Sequence, residues 1–278
     1  MNEQSFKQRL LHIVFHAGVL ILTIPECAVG ADLTVFQLKP LKETVILTTG
    51  LSLQWAGNNF ISKMTGPDLN TLDKNNIPPI DRFASRYYSK KASHISDSTK
   101  DAVFGLMFLT TFSLLTENHK EKIQAIITDL VMFAESETII IGLTNCAKGL
   151  SQRSRPYAYN TNLPLGKRRA RNASLSFWSG HASLAFTTAV LTGYVYQKRQ
   201  PGSRFIMPVW MCGLSCATAT SILRVRSGNH FPTDVIAGMA AGSCVGWIIP
   251  WMHQEKNKSL SICTDINGTS GLGITYSF

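Results

Sequence analysis

The chain has 278 residues, 45% hydrophobic and only 16% charged, with a formal net charge of +10. The low charge fraction and a mean hydropathy of +0.06 exclude a highly charged soluble chain and place this one between a soluble helical protein and a membrane protein. The length allows one large domain or two small ones, and the positive balance suits an anionic partner: phosphate esters, anionic lipid or nucleic acid.

Residues 1–31 read as a cleavable export signal. Lys7 and Arg9 form a basic start, Leu10 to Ile24 an apolar core, and Ala28 to Ala31 supplies small residues for cleavage. The core is short for a permanent membrane anchor. Residues 32–100 follow as a modest apolar segment at 44–57 and a polar connector at 63–100, where Ile80, Phe83 and Tyr87 would share one face of an amphipathic surface helix.

From Asp101 to Met252 the pattern is helix after helix, over 102–116, 123–146, 181–196, 205–223 and 235–252. The expected fold is an all-α helical bundle of about six core helices. The later helices are rich in Gly, Ala, Ser and Thr, which permit close helix contact. Asp129, Glu135 and Glu137 argue against lipid exposure of the second of these segments. The segments 205–223 and 235–252 are long enough, or nearly so, to cross a bilayer, and the basic turn Lys198, Arg199, Arg204 suits a cytoplasmic loop. An embedded bundle and a soluble periplasmic bundle both remain open, and both put the chemistry outside the cytoplasm. The tail, 253–278, ends in an alternating stretch that fits a short strand or a frayed end. Six cysteines without a CxxC pair read as small buried hydrophobes rather than a disulfide framework or metal site.

Three polar stretches interrupt the helices, each at a helix end. Lys148 closes one helix, and Arg155 precedes Pro156 in the following loop. A point cation and a forked cation seven residues apart can grip different oxygens of one phosphate. Ser179 is a helix N-cap, Gly180 allows close approach to the backbone, and His181 would sit beside an anion held there. Arg224 ends a helix, Ser227 to Asn229 turns the chain, and His230 stands at the junction. Asp234, four residues on, can reach back to its ring as a base–orienter pair does.

Together these stretches resemble the type 2 phosphatidic acid phosphatase and vanadium haloperoxidase superfamily. That family's pattern is Lys-x6-Arg-Pro, then Pro-Ser-Gly-His, then Ser-Arg-x5-His-x3-Asp. Here Trp178 replaces the proline of the second motif and Leu223 the serine of the third. The resemblance covers about Asp101 to Met252 and implies an active site at helix ends on one side of the bundle. It implies His230 as nucleophile toward phosphorus, Asp234 as its support and His181 as proton donor. Lys148, Arg155, Arg224 and the amides near Ser179 and Gly180 would hold the phosphoryl oxygens. No metal or other cofactor is implied, although vanadate could occupy the phosphate position. The activity implied is hydrolysis of a lipid phosphate, polyprenyl phosphate or pyrophosphate, or lipid A, in the cell envelope with the site on the periplasmic side. A broad-range soluble acid phosphatase, a haloperoxidase and a non-catalytic lipid-binding protein are the competing readings. Expected partners are the phosphorylated substrate and an anionic membrane surface. The basic run Lys167 to Arg171 reads as a solvated loop near such a surface, not a nucleic-acid site. Arg226, which matches nothing in the pattern, reads as a rim charge.

Overall fold

The computed structural model describes residues 33–113, 119–255, 258–264 and 270–276. The export signal expected over 1–31 lies outside them. Among the described residues are six long helices: α1 (Pro40–Ser62), α2 (Lys90–Phe112), α3 (His119–Ser151), α4 (Gly180–Arg199), α5 (Ile206–Arg226) and α6 (Pro232–His253). The fold is the expected all-α bundle. After it, β1 (Lys258–Thr264) pairs antiparallel with β2 (Ser270–Tyr276), Lys258 opposite Tyr276, so the alternating tail forms the second strand of a hairpin.

α4 is the central helix. It packs against α2, α3, α5 and α6, and most of its residues are buried. Leu191 and Val195 join Met132 and Ile140 of α3, Val245 and Ile249 of α6, Ile46 of α1 and Phe36 in the main apolar core. Glycines set the closest approaches. A Cβ at Gly238 or Gly242 would stand 2.6 or 2.2 Å from the backbone oxygens of Ser179 and Ser183, and one at Gly246 would stand 2.4 Å from that of Thr187. The ascending match of 238, 242 and 246 to 179, 183 and 187 makes α4 and α6 parallel, so both begin at the same end of the bundle. α3 and α5 end there, because each is joined to the next helix by a loop at that end. Four helix termini are thereby gathered at one end, which is where the sequence motifs fall.

Asp129, Glu135 and Glu137 of α3 face inward and are paired. Asp129 takes a forked contact from Arg199 (Nε to Oδ1 2.9 Å), Glu137 accepts from Thr188 Oγ1 at 2.8 Å, and Glu135 meets His253. Arg199 is therefore buried, and of the basic turn only Lys198 and Arg204 are left as loop charges. The exterior is apolar instead. Trp55 on α1 is 73% exposed and Met207 on α5 65%, with Ile236, Trp247 and Trp251 exposed on α6. α5 and α6 are long and apolar enough to cross a bilayer. The cysteine expectation is corrected by the same surface: Cys212 and Cys244 are exposed, and Cys146 and Cys216 are half-buried and free.

Two elements differ from the sequence expectation. The amphipathic helix over Ile80 to Ala92 is broken into a turn of α-helix (Pro79–Arg82), a 3-10 turn (Phe83–Arg86) and the start of α2. Ile80, Phe83 and Tyr87 are all exposed, and the Phe83 and Tyr87 rings stand edge to face 6.0 Å apart. α2 begins a dozen residues before Asp101, capped by Ser89, whose hydroxyl accepts from Ala92 N at 3.1 Å. Its first turns carry Ser93, Ser96 and Asp97, and that polar face hid the helix from a hydropathy reading.

The close α4–α6 contact has a direct test. Gly242→Ala forces a Cβ onto the Ser183 carbonyl and should cost about 1–3 kcal/mol, as overpacking does. Gly166→Ala, where a Cβ meets nothing within 4 Å, should leave the unfolding midpoint of the detergent-solubilised protein unchanged.

Candidate active site

The third motif is built by a tight turn at the end of α5. Gly228 adopts φ +71°, and a Cβ there would stand 2.2 Å from the Tyr87 carbonyl oxygen, so only glycine lets the connector cross the turn. The amides of Asn229 and His230 both return to the Arg224 carbonyl at 3.3 Å. Phe231 then caps α6 and Pro232 opens it, as a first-turn proline does. His230 is held at the mouth of α6 with 1% of its surface exposed.

The ring of His230 is oriented differently from the sequence expectation. Its Nδ1 faces the Ser176 carbonyl at 2.7 Å, while Asp234 Oδ2 stands 3.9 Å away, beyond hydrogen-bond reach. The reason is competition for the carboxylate. Asp234 Oδ2 accepts from Phe231 N at 2.8 Å, closing the helix cap, and from the Ser176 hydroxyl. Asp234 therefore positions His230 through Ser176. A carbonyl can only accept, so Nδ1 carries the ring proton and Nε2 carries the lone pair. Burial, reinforced by the charges of Arg155, Arg224 and Lys148, holds the imidazole pKa well below its usual value. The neutral ring is the form a nucleophile needs.

The cations arrive from three elements. Arg155 donates to Asn229 Oδ1 at 3.1 Å and Asn172 Oδ1 at 3.0 Å. Arg224 donates to Ser93 and Ser96 of α2, both at 3.2 Å, so the hydroxyl support missing at Leu223 is supplied from another helix. Lys148 lies against the start of α4: a Cβ on Gly180 would stand 3.3 Å from its Nζ. Arg155 and Arg224 are both buried, and the Nε of each has no hydrogen-bond partner among the described residues.

The second motif gives α4 its start. The Ser179 hydroxyl accepts from Ala182 N at 3.4 Å, the N-cap expected for it. Its own amide is not free for an anion, because it donates to the Asp234 carbonyl oxygen at 3.0 Å. His181 is half-buried, with Nε2 2.8 Å from Asp97 Oδ1. Trp178 turns inward against the main core and donates its indole N–H to Thr144 Oγ1 at 2.7 Å. It therefore packs as a core residue where the family pattern has proline.

Several residues here were not singled out by sequence. Arg153 bridges Asp234 and Asp81, and Asp81 also accepts from Thr233 N at 3.0 Å and its hydroxyl at 2.6 Å. Asp81 comes from the connector and is fully buried. Arg153 stands two places before Arg155 in the first motif, a signal that could have been used. Ser176 and Asp97 carry no such signal, since what matters at Ser176 is its carbonyl and at Asp97 its place on a helix read as connector. Arg226 is exposed, as expected of a rim charge.

The motif-bearing part of the chain is similar in sequence to known proteins. Residues 129–258 match the model of the PAP2 superfamily. A protein named "Lipid A 1-phosphatase" from Porphyromonas gingivalis is 32% identical over 84 residues, 30% of this chain and 17% of that protein's length. The crystal structure of "the first transmembrane PAP2 type phosphatidylglycerolphosphate phosphatase from Bacillus subtilis" aligns with a TM-score of 0.45 and 18% identity, covering 76% of this chain and 95% of that one. The stretch matched by the PAP2 superfamily model, residues 129–258, carries all three motifs.

Proposed function

We propose that the chain hydrolyses the phosphate ester of a lipid through a covalent phosphohistidine on His230. One observation carries the reading. Arg155 and Arg224 are buried beside a buried neutral imidazole, and each keeps an Nε–H with no acceptor among the described residues. Buried cations with unmade hydrogen bonds are costly unless an anion completes them. A phosphoryl group supplies several acceptor oxygens, and Lys148 adds a third positive charge.

In this scheme Nε2 of His230 attacks phosphorus and the bond to the leaving oxygen breaks. His181 protonates that oxygen, then takes a proton from the water that hydrolyses the P–N bond. The three cations neutralise the charge spread over the phosphoryl oxygens. Burial and the neighbouring Arg224 charge lower the His181 pKa; Asp97, which holds one ring nitrogen, opposes that shift and leaves the other nitrogen to deliver the proton. Asp234 and Arg153 act at one remove, fixing the Ser176 carbonyl that aims the nucleophile.

A lipid substrate is supported by the apolar exterior of α1, α5 and α6 and by the name of the Porphyromonas gingivalis relative. The exterior also supports an embedded bundle, and the signal-like N-terminus supports a site opening on the periplasmic face.

Phosphate release from phosphatidate, phosphatidylglycerophosphate, a polyprenyl pyrophosphate, lipid A and an aryl phosphate tests the proposal. At least one lipid phosphate should be cleaved, and His230→Ala should release none from any. Cleavage of the aryl phosphate alone would remove the lipid reading. In the same panel Asp97→Asn should lose about tenfold or more on alkyl esters and less on the aryl ester, whose leaving group needs little protonation.

A pH profile tests the electrostatics. Burial, reinforced by the cations, depresses the His230 pKa, so kcat/KM should fall with acid only well below the ordinary imidazole range. Lys148→Met removes one of those charges, raises the pKa and should move the acid limb to higher pH; a limb that stays put would contradict the assignment.

A further inference from the structure

At the end of the bundle opposite His230, three helices converge on a second buried cluster. Glu43 lies in the first turn of α1, Glu135 midway along α3, and His253 is the last residue of α6. The length of α6, at ~1.5 Å per residue, separates His253 from the phosphate site by more than ~30 Å. The three ligand atoms lie within 4.8 Å of one another, and the residues are 8%, 0% and 2% exposed respectively.

His253 is oriented as a metal ligand is. Its Nδ1 faces the Ile249 carbonyl at 2.8 Å and so carries the proton, the arrangement that fixes the tautomer of metal-bound histidines. Nε2 then faces two carboxylates, 2.8 Å from Glu43 Oε2 and 3.2 Å from Glu135 Oε2. The two acids are not alike. The other oxygen of Glu43 accepts from Lys39 N at 2.6 Å and has Lys42 Nζ at 3.6 Å. Glu135 is wholly buried, yet neither of its oxygens makes a hydrogen bond among the described residues, and His253 is its one basic neighbour there.

A single proton on Nε2 points in one direction. It cannot satisfy both carboxylates, so without an ion one of the two acids must keep a proton of its own for the buried charge to cancel. A divalent cation takes the nitrogen lone pair and one oxygen from each acid, and cancels both charges. We propose that Glu43, Glu135 and His253 form a binding site for a divalent first-row transition-metal ion of the zinc class, stapling α1, α3 and α6 together. One imidazole with two carboxylates suits zinc, cobalt or manganese, whereas calcium and magnesium prefer oxygen alone. Tetrahedral ligands at about 2.0–2.2 Å stand about 3.4 Å apart, so the present contacts open by a few tenths of an ångström on binding. A groove of about 480 Å³ bounded by Gln37, Lys42, Trp251 and His253 borders the cluster on its His253 side. The role is structural, since the ion sits far from the phosphoryl group.

The test uses the full chain in detergent, stripped with a chelator and titrated with Co2+. The expected result is one equivalent bound, with visible d–d bands of tetrahedral intensity that Zn2+ displaces, and an unfolding midpoint that rises with metal. Glu135→Gln should melt cooperatively but lose both the bands and the metal-dependent rise; Glu43→Gln serves if that variant does not fold. A cooperatively melting wild type that binds no stoichiometric Co2+ and gains no stability from Zn2+ would overturn the proposal and assign the cluster to a shared proton. Bands that persist in both variants would overturn it equally.

Discussion

The structure around His230 depends on one buried carboxylate. Asp234 closes the cap of α6 through Phe231 N, takes the Ser176 hydroxyl, and pairs with Arg153, while its backbone oxygen receives the Ser179 amide. Those contacts tie the loop after α3, the segment before α4 and the start of α6 to one point. A fully buried carboxylate is tolerable only when its charge is paired and its lone pairs are filled. The demand for those partners fixes where the three motifs meet. It also explains why Asp234 does not touch the His230 ring: its oxygens are already committed, and the ring proton goes to the Ser176 carbonyl instead.

Helix geometry does the rest of the positioning. Parallel packing of α4 and α6 over a glycine stripe puts two helix N-termini beside the ends of α3 and α5. Residues far apart in sequence, such as Ser93 and Arg224, can then share one polar chamber at the end of an otherwise apolar bundle. The opposite end is held by different polar contacts, Arg199 with Asp129 and His253 with Glu43 and Glu135. α3 supplies an acid to each of these, which accounts for Asp129 and Glu135 in a bundle whose outside is apolar.

The six helices were largely legible because five of them carry long apolar runs, and the three motifs were legible because their residue types and spacings are unusual at helix ends. The first half of α2 was not, because its inward face is the polar wall of the site. Ser93, Ser96 and Asp97 read as connector until Arg224 and His181 are seen beside them. Asp81 was missed for the same reason, since its partner Arg153 is 72 residues away. The pairing of Asp234 with His230 was inferred from a four-residue spacing, which brings the groups near but does not decide between competing donors. Asp129, Glu135 and Glu137 were rightly read as hard to expose to lipid; their partners on α4 and α6 could not be read from local pattern.

The most direct test of the central claim is to stop turnover of a 32P-labelled lipid phosphate within the first catalytic cycle and map the label. The account predicts an acid-labile, base-stable phosphoramidate on the peptide containing His230, accumulating in a His181→Gln variant whose dephosphorylation is slowed. Turnover that proceeds with no labelled protein, or with the label on another residue, would contradict it.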